Sequence, residues 1–252
     1  MRIPTLQALI KRRILVNFRA TPEVAAQMIP DPFRPKLHNG HAIVGVCLIR
    51  LEEVRPKGWP KWMGIASENA AHRVAVEWTD AQGTTREGVY IPRRDTGSIL
   101  NHWAGGRLFP GEHHLARFVV KEDGKHINFR MDACDGHVSV QVTGEETDAL
   151  PADSCFASLA EASAYFETGS LGYSATRDPS RLDGLRLKTS TWRVSALQVS
   201  QVHSSVFADT KRFPTGSVVF DHALLMRDIE HEWHQEADLR GVKYPAGCCA
   251  PR

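Results

Sequence analysis

The residue types best suited to chemistry crowd into the stretch from Tyr90 to His114, which reads Tyr-Ile-Pro-Arg-Arg-Asp-Thr, then Asn101-His102-Trp103, then Gly105 to His114. Arg93 and Arg94 follow Pro92 at a strand end. Being adjacent, at most one can face inward, where its guanidinium fork would hold a carboxylate bidentately. The alternative is a pair of surface arginines, one of them paired to Asp95. Gly105, Gly106 and Gly111 permit tight turns and close approach of a ligand beside Arg107. His113 and His114 point opposite ways on a strand, so they cannot share one metal or one pocket. One inward histidine, with Glu112 or Glu68 nearby, makes an acid or base near neutral pH, whereas a hydrogen-bonded structural histidine is the plainer reading. Tyr90 and His102 would complete the polar lining.

Other motifs exclude more than they support. His231-Glu232-Trp233-His234 superficially resembles a zinc helix, but the histidines are three apart and position 235 is Gln, so no metal site is expected. Gly169-Ser170-Leu171-Gly172 has the wrong spacing for a nucleophile elbow. No phosphate-binding loop or dinucleotide fingerprint is present, and no cofactor is expected. Five cysteines, Cys47, Cys134, Cys155, Cys248 and Cys249, show no metal-knuckle spacing. The first three read as small apolar core residues, and a reducing cytoplasm fits the odd count.

The elements needed to position these groups are mostly strands. Ile14 to Ala20 alternates as a strand and runs into Thr21-Pro22, a helix start whose helix should end near Pro30. Asn39-Gly40 marks a tight turn before a long strand from His41 to Val54. Further strands are expected at Ala71 to Trp78, Arg86 to Ile91, Leu115 to Lys121, His126 to Asp132 and His137 to Thr143, with turns at Asp80 to Gly83, Asp123-Gly124 and Asp135-Gly136. Thr96 to Trp103 and Ser158 to Glu167 read as helices. Leu185 to Ser205 and Ser217 to Phe220 are again strand-rich. Many strands with few short helices imply an α+β fold with a closed or nearly closed sheet, leaving a small-molecule cavity near its mouth. One domain over residues 1–243 with a loose tail over 244–252 is the expected organisation.

Net charge is +2, from 31 basic and 29 acidic residues spread along the chain, so no basic stripe marks a nucleic-acid surface. No apolar run reaches the ~18 residues of a membrane span, and Met1 to Ala20 has no signal-peptide core and cleavage site. The expected partner is a small-molecule ligand, with no nucleic acid and no membrane; a homo-oligomer is left open.

At Ser67 to Arg73, Glu87 to Thr96, Gly105 to Gly111, Gly169 to Tyr173 and Phe220 to Ile229, the chain resembles the YqjF-like family of the acetoacetate decarboxylase-like superfamily, over about residues 12 to 235. The resemblance implies a large, bent antiparallel sheet closing on a barrel-like central cavity, with short helices outside. In the decarboxylases a Gly-Arg-Glu segment precedes a Gly-x-Pro-Lys whose lysine forms a Schiff base. Here Gly106-Arg107 matches the first part, Gly111 matches the later glycine, and His114 falls where that lysine would be. A histidine cannot form the imine, and no lysine lies between Lys61 and Lys121. The resemblance therefore implies a pocket for an anionic or carbonyl-bearing small molecule, walled by Arg93 or Arg94 with Arg107. It either binds without chemistry, or serves a lyase, isomerase or hydratase in which His114 or His113 acts as acid or base assisted by Glu68 or Glu112.

Overall fold

The computed structural model describes residues 5–105 and 110–245. The chain opens with β1 (Leu6–Ala20), then α1 (Pro22–Ala26), and two short strands, β2 (Arg34–Pro35) and β3 (Leu37–His38). α1 stops earlier than expected, and Thr21 makes no side-chain cap, although Pro22 does occupy the first turn. Asn39 and Gly40 both take positive φ (46° and 79°) and turn the chain into β4 (His41–Pro56). That pair of left-handed residues is what an Asn-Gly turn supplies.

β5 (Ile65–Thr79) and β6 (Thr85–Thr96) follow, both longer than the sequence suggested, and then α2 (Ile99–Ala104). The meander is β7 (His113–Asp123), β8 (His126–Ala133) and β9 (Ser139–Thr147). After α3 (Leu159–Glu167) come β10 (Leu171–Ala175), β11 (Arg181–Thr189), β12 (Ser195–Ser204) and the 23-residue β13 (Val218–Arg240). The His231 to His234 string is therefore strand, registered on β1 with His231 opposite Ala8. Tyr244, assigned to the tail by sequence, has its hydroxyl 3.2 Å from that of Tyr90, and the rest of that tail, 246–252, lies outside the described residues.

The described strands form one 13-stranded sheet, antiparallel except where β6 meets β10 and β7. The pairings β11–β13 and β6–β5 close it into two circuits that share β13, β1, β4, β5 and β6. One circuit returns through β10 and β11, the other through β7, β8, β9 and β12. The result is a large bent sheet closing in a ring-like form with short helices outside, as expected. It is not a regular barrel.

Because side chains alternate across a strand, each shared strand serves two interiors. Ile14, Val16, Val44, Val46, Val74 and Val76 point into the main core. Leu15, Cys47, Ala71 and Ala75 point to the opposite face. Burying an aliphatic side chain of this kind stabilises by about 1.5–3 kcal/mol, so the first set fixes the register on which the second depends. α3 covers part of the second face through Ala162 and Phe166, one turn apart. Its start is a variant of the capping box: the N-cap Ser158 Oγ accepts from the Glu161 N–H at 3.1 Å, and Glu161 accepts from the N–H of Ala157, one residue before the cap, at 2.6 Å.

Candidate functional site

Between this second face, β10, β11 and α3 lies a cavity of about 170 Å³. Its walls are largely aliphatic and aromatic, from Leu15, Ile49, Ala71, Ile91, Phe166 and Trp233 among others. Into that wall project Arg13 from β1, Arg73 from β5 and Arg94 from β6.

Arg94 is inward and Arg93 is not because β6 carries a bulge. Along β5 and β6 the pairing runs evenly from Asn69↔Thr96 to His72↔Arg93, then slips to Val74↔Tyr90. Ile91 and Pro92 thus oppose the single residue Arg73, and Pro92 has no N–H to lose from the ladder. The extra residue reverses the alternation, so Arg94 joins Val89 and Ile91 on the cavity face. Arg93 turns away and is fully buried against Asp95 (2.8 Å) and Asp135 (2.7 Å).

None of the three inward arginines has a carboxylate within salt-bridge distance among the described residues. Arg94 donates to Ser174 Oγ at 2.9 and 3.0 Å. Arg13 Nε donates to Cys47 Sγ at 3.2 Å. Arg73 donates to Asn17 Oδ1 and lies over the Phe166 ring, its guanidinium carbon 4.9 Å from the ring centre. Burial lowers both Arg73 and Arg94 from 12.5 to about 10. That is the signature of cations held in a poorly solvated place without a counter-ion.

A buried relay holds Arg73. Asn17 Nδ2 lies 2.9 Å from His222 Nε2, and His222 Nδ1 lies 2.6 Å from Asp221 Oδ2. With the Asn17 amide oxygen accepting from Arg73, its nitrogen must donate, so His222 Nε2 accepts and its Nδ1–H donates to Asp221. Gly45 lies in register between Asn17 and Arg73, and β1 approaches it too closely for a side chain: a Cβ there would sit 2.2 Å from the Val16 carbonyl oxygen.

Of the histidines, His113 lines the cavity and pairs in register with Arg94. Burial first, and the Arg94 charge second, lower it to about 3, so it is a neutral imidazole near pH 7. The other sequence candidates lie elsewhere. His114 faces the other side of β7, 3.6 Å from Asp135. Glu68, at an even position of β5, is tied to Arg12 (2.6 Å) and Arg50 (3.4 Å). Glu112 pairs with Arg177 at 3.4 Å on the outside. Tyr90 is wholly buried in the main core, and His102 Nδ1 is spent on the His113 carbonyl at 2.5 Å. Arg107 lies outside the described residues.

Sequence reasoning missed Arg13, Arg73 and Cys47. It also passed over Lys36, which reaches the cavity edge from the segment between β2 and β3. Lys36 Nζ donates to Glu87 Oε2 at 2.6 Å and Thr168 Oγ1 at 2.9 Å, and sits 4.2 Å from the Tyr165 ring centre. Its hydrogen bond holds the Glu87 carboxyl below the usual range.

In fold, the chain is similar to acetoacetate decarboxylase from Legionella pneumophila, with TM-score 0.60 and 10% identity over 94% of this chain and 88% of that one. It is likewise similar to an acetoacetate decarboxylase-like enzyme from Sphingomonas wittichii (0.54, 10%, 97% and 94%) and to the enduracididine biosynthesis enzyme MppR complexed with pyruvate (0.55, 11%, 97% and 93%). The architecture is thus acetoacetate decarboxylase-like. No curated protein matches the sequence. The family model DUF2071, described as an uncharacterized conserved protein (COG2071), matches residues 8–222, and the chain belongs to that family.

Proposed function

We propose that this protein binds a small organic carboxylate in the cavity, its charge on Arg94, Arg73 and Arg13 and its body against the apolar wall. The observation that carries the reading is three guanidinium groups on one small cavity, none of them in salt-bridge distance of a carboxylate among the described residues, while the two carboxylates of the lining, Glu87 and Asp95, are already paired to Lys36 and Arg93. Enclosed charge is costly unless paired, and an anionic ligand would supply the pairing. Arginine suits the role because its fork matches a carboxylate. MppR complexed with pyruvate is an instance of a related fold with a small 2-oxo acid, which makes pyruvate a reasonable first probe.

The Schiff-base route is not part of this reading. By the motif resemblance His114 falls where the decarboxylases carry their lysine, and among the described residues the amine that reaches the cavity edge, that of Lys36, is engaged by Glu87 and Thr168. An imine forms from a free amine.

The test is thermal unfolding with a panel of carboxylates, pyruvate and acetoacetate among them, beside their neutral amides. Carboxylates should stabilise, by roughly 2.7 kcal/mol at a hundred times Kd, and at the same ligand concentration Arg73→Met or Arg94→Met should cut this by about half or more. Amides stabilising as well as acids would overturn the reading.

A second reading has its own observation, the neutral His113 beside Arg94 on the same wall. An anchored carboxylate would offset the Arg94 charge that, after burial, depresses His113, and raise its proton affinity towards what a lyase, isomerase or hydratase needs. His113→Gln would then keep carboxylate binding and lose turnover.

A further inference from the structure

Cys47 belongs to the apolar face of β4, where a cysteine ordinarily does no more than fill space. Its surroundings here are different. Only 7% exposed, it lines the cavity, and its sulfur accepts the Arg13 Nε–H at 3.2 Å. The register explains the pairing: Leu15 lies opposite Cys47 and Arg13 opposite Ile49, so the arginine side chain runs back along one face to the sulfur. Arg73 and Arg94 are both near enough to interact electrostatically with it.

Other atoms in the same cavity point to an occupant. Asn101, 8% exposed, lines it with Oδ1 unbonded, and Arg73, 4% exposed, lines it with Nε unbonded. The cavity is reachable, since Ser170, Leu187 and Trp233 on its wall are half-buried.

We propose that Cys47 is a nucleophilic site on which the arginine-lined cavity concentrates small carboxylates that carry an electrophilic carbon, forming a thioether. With an α,β-unsaturated carboxylate, the sulfur bonds to the β-carbon and the C=C π pair moves to the α-carbon. That carbon takes a proton from solvent while the thiol gives one up, a net addition of S–H with no further reagent. The arginines hold the charged end in place, turning a bimolecular encounter into one between neighbours. The inference rests on the carboxylate reading above but adds a covalent step.

Iodoacetate and iodoacetamide test it, because they deliver the same electrophilic carbon with and without a negative charge. In each case an S–C bond forms, the C–I bond breaks, iodide leaves with the pair and the thiol proton goes to solvent. Alkylation is followed by peptide mass spectrometry, with the exposed Cys134 as internal reference. The ratio of iodoacetate to iodoacetamide rates should be about tenfold higher at Cys47 than at Cys134. Pyruvate should slow the reaction at Cys47 and leave Cys134 alone. Arg94→Met should bring the two ratios together; should that variant not fold, the wild-type ratio and pyruvate protection decide. Equal ratios, or a Cys47 that stays unmodified while Cys134 reacts, overturn the inference. Carboxylate stabilisation in the thermal assay alongside an inert Cys47 leaves the binding reading standing, whereas loss of both removes the two together.

Discussion

Replacing Arg94 by methionine should make the empty protein more stable and the liganded protein weaker. Burial takes the Arg94 guanidinium from 12.5 to about 10. At about 1.4 kcal/mol per pH unit, carrying that charge at pH 7 costs the folded state ~3 kcal/mol. The sign is fixed: a base whose folded value is depressed is protonated in both states at pH 7, and the penalty falls on the folded one. Methionine has similar length and fits the apolar wall. Its introduction forfeits the bonds to Ser174 Oγ, about 1 kcal/mol. The net gain is about 2 kcal/mol, or roughly 4–8 °C in melting temperature for a chain of this size. Against that, a charge-assisted hydrogen bond to the ligand is worth about 1.5–3 kcal/mol, so Kd for a carboxylate should rise roughly 10- to 150-fold. Thermal unfolding with and without pyruvate, beside calorimetric titration, reads both halves. A variant that melts below the wild type when empty, or binds carboxylates as tightly, refutes the claim that Arg94 is an uncompensated cation awaiting a ligand.

Acid should unfold the protein early. Burial lowers His72 and His113 to about 3 and His231 to about 4, so all three stay neutral when folded, while the unfolded forms protonate near 6.5. Their stability is whole above that value and is lost as pH falls towards the folded values, ~5 kcal/mol in all between pH 7 and 5. Urea unfolding at those two pH values checks this, and an unchanged midpoint contradicts it. His72, with neither ring nitrogen bonded, should account for about a third of the loss, removable by His72→Leu. Asn17→Ala breaks the link from Asp221 through His222 to Arg73 and should cost about 2–3 kcal/mol while weakening carboxylate binding; an Asn17→Ala protein that binds normally would separate Arg73 from the relay. Borohydride reduction in the presence of pyruvate should leave Lys36 unmodified, whereas a mass gain on its peptide would restore an imine route.

What the sequence reveals and conceals here follows from how the sheet is used. The strands of the meander were legible, because Ile127, Phe129 and Met131 alternate with polar residues and have water on one side. The shared strands were less so. With two interiors, β4 and β5 are apolar at both parities, and the usual guide to which side faces what disappears. Under those conditions the informative residue is the polar one that interrupts a buried run. Arg73 stands in such a run between Ala71 and Ala75, and Arg13 stands one alternation before Leu15 and Asn17. By sequence the first belongs to the family motif Ser67 to Arg73, and the second is one basic residue of the run Lys11, Arg12 and Arg13. For Arg93 and Arg94 the choice turned on the bulge at Ile91 and Pro92, which the proline alone suggests but does not locate. The same count placed His113, not His114, on the cavity. Chemistry that sequence proximity gathered between residues 90 and 114 is therefore split by geometry into two groups. One is the inward pair Arg94 and His113. The other is the buried Arg93 with Asp95 and Asp135, which His114 also faces at 3.6 Å from Asp135. The inward pair is joined by Arg13, Cys47 and Arg73, residues whose only relation in the chain is a common parity on neighbouring strands.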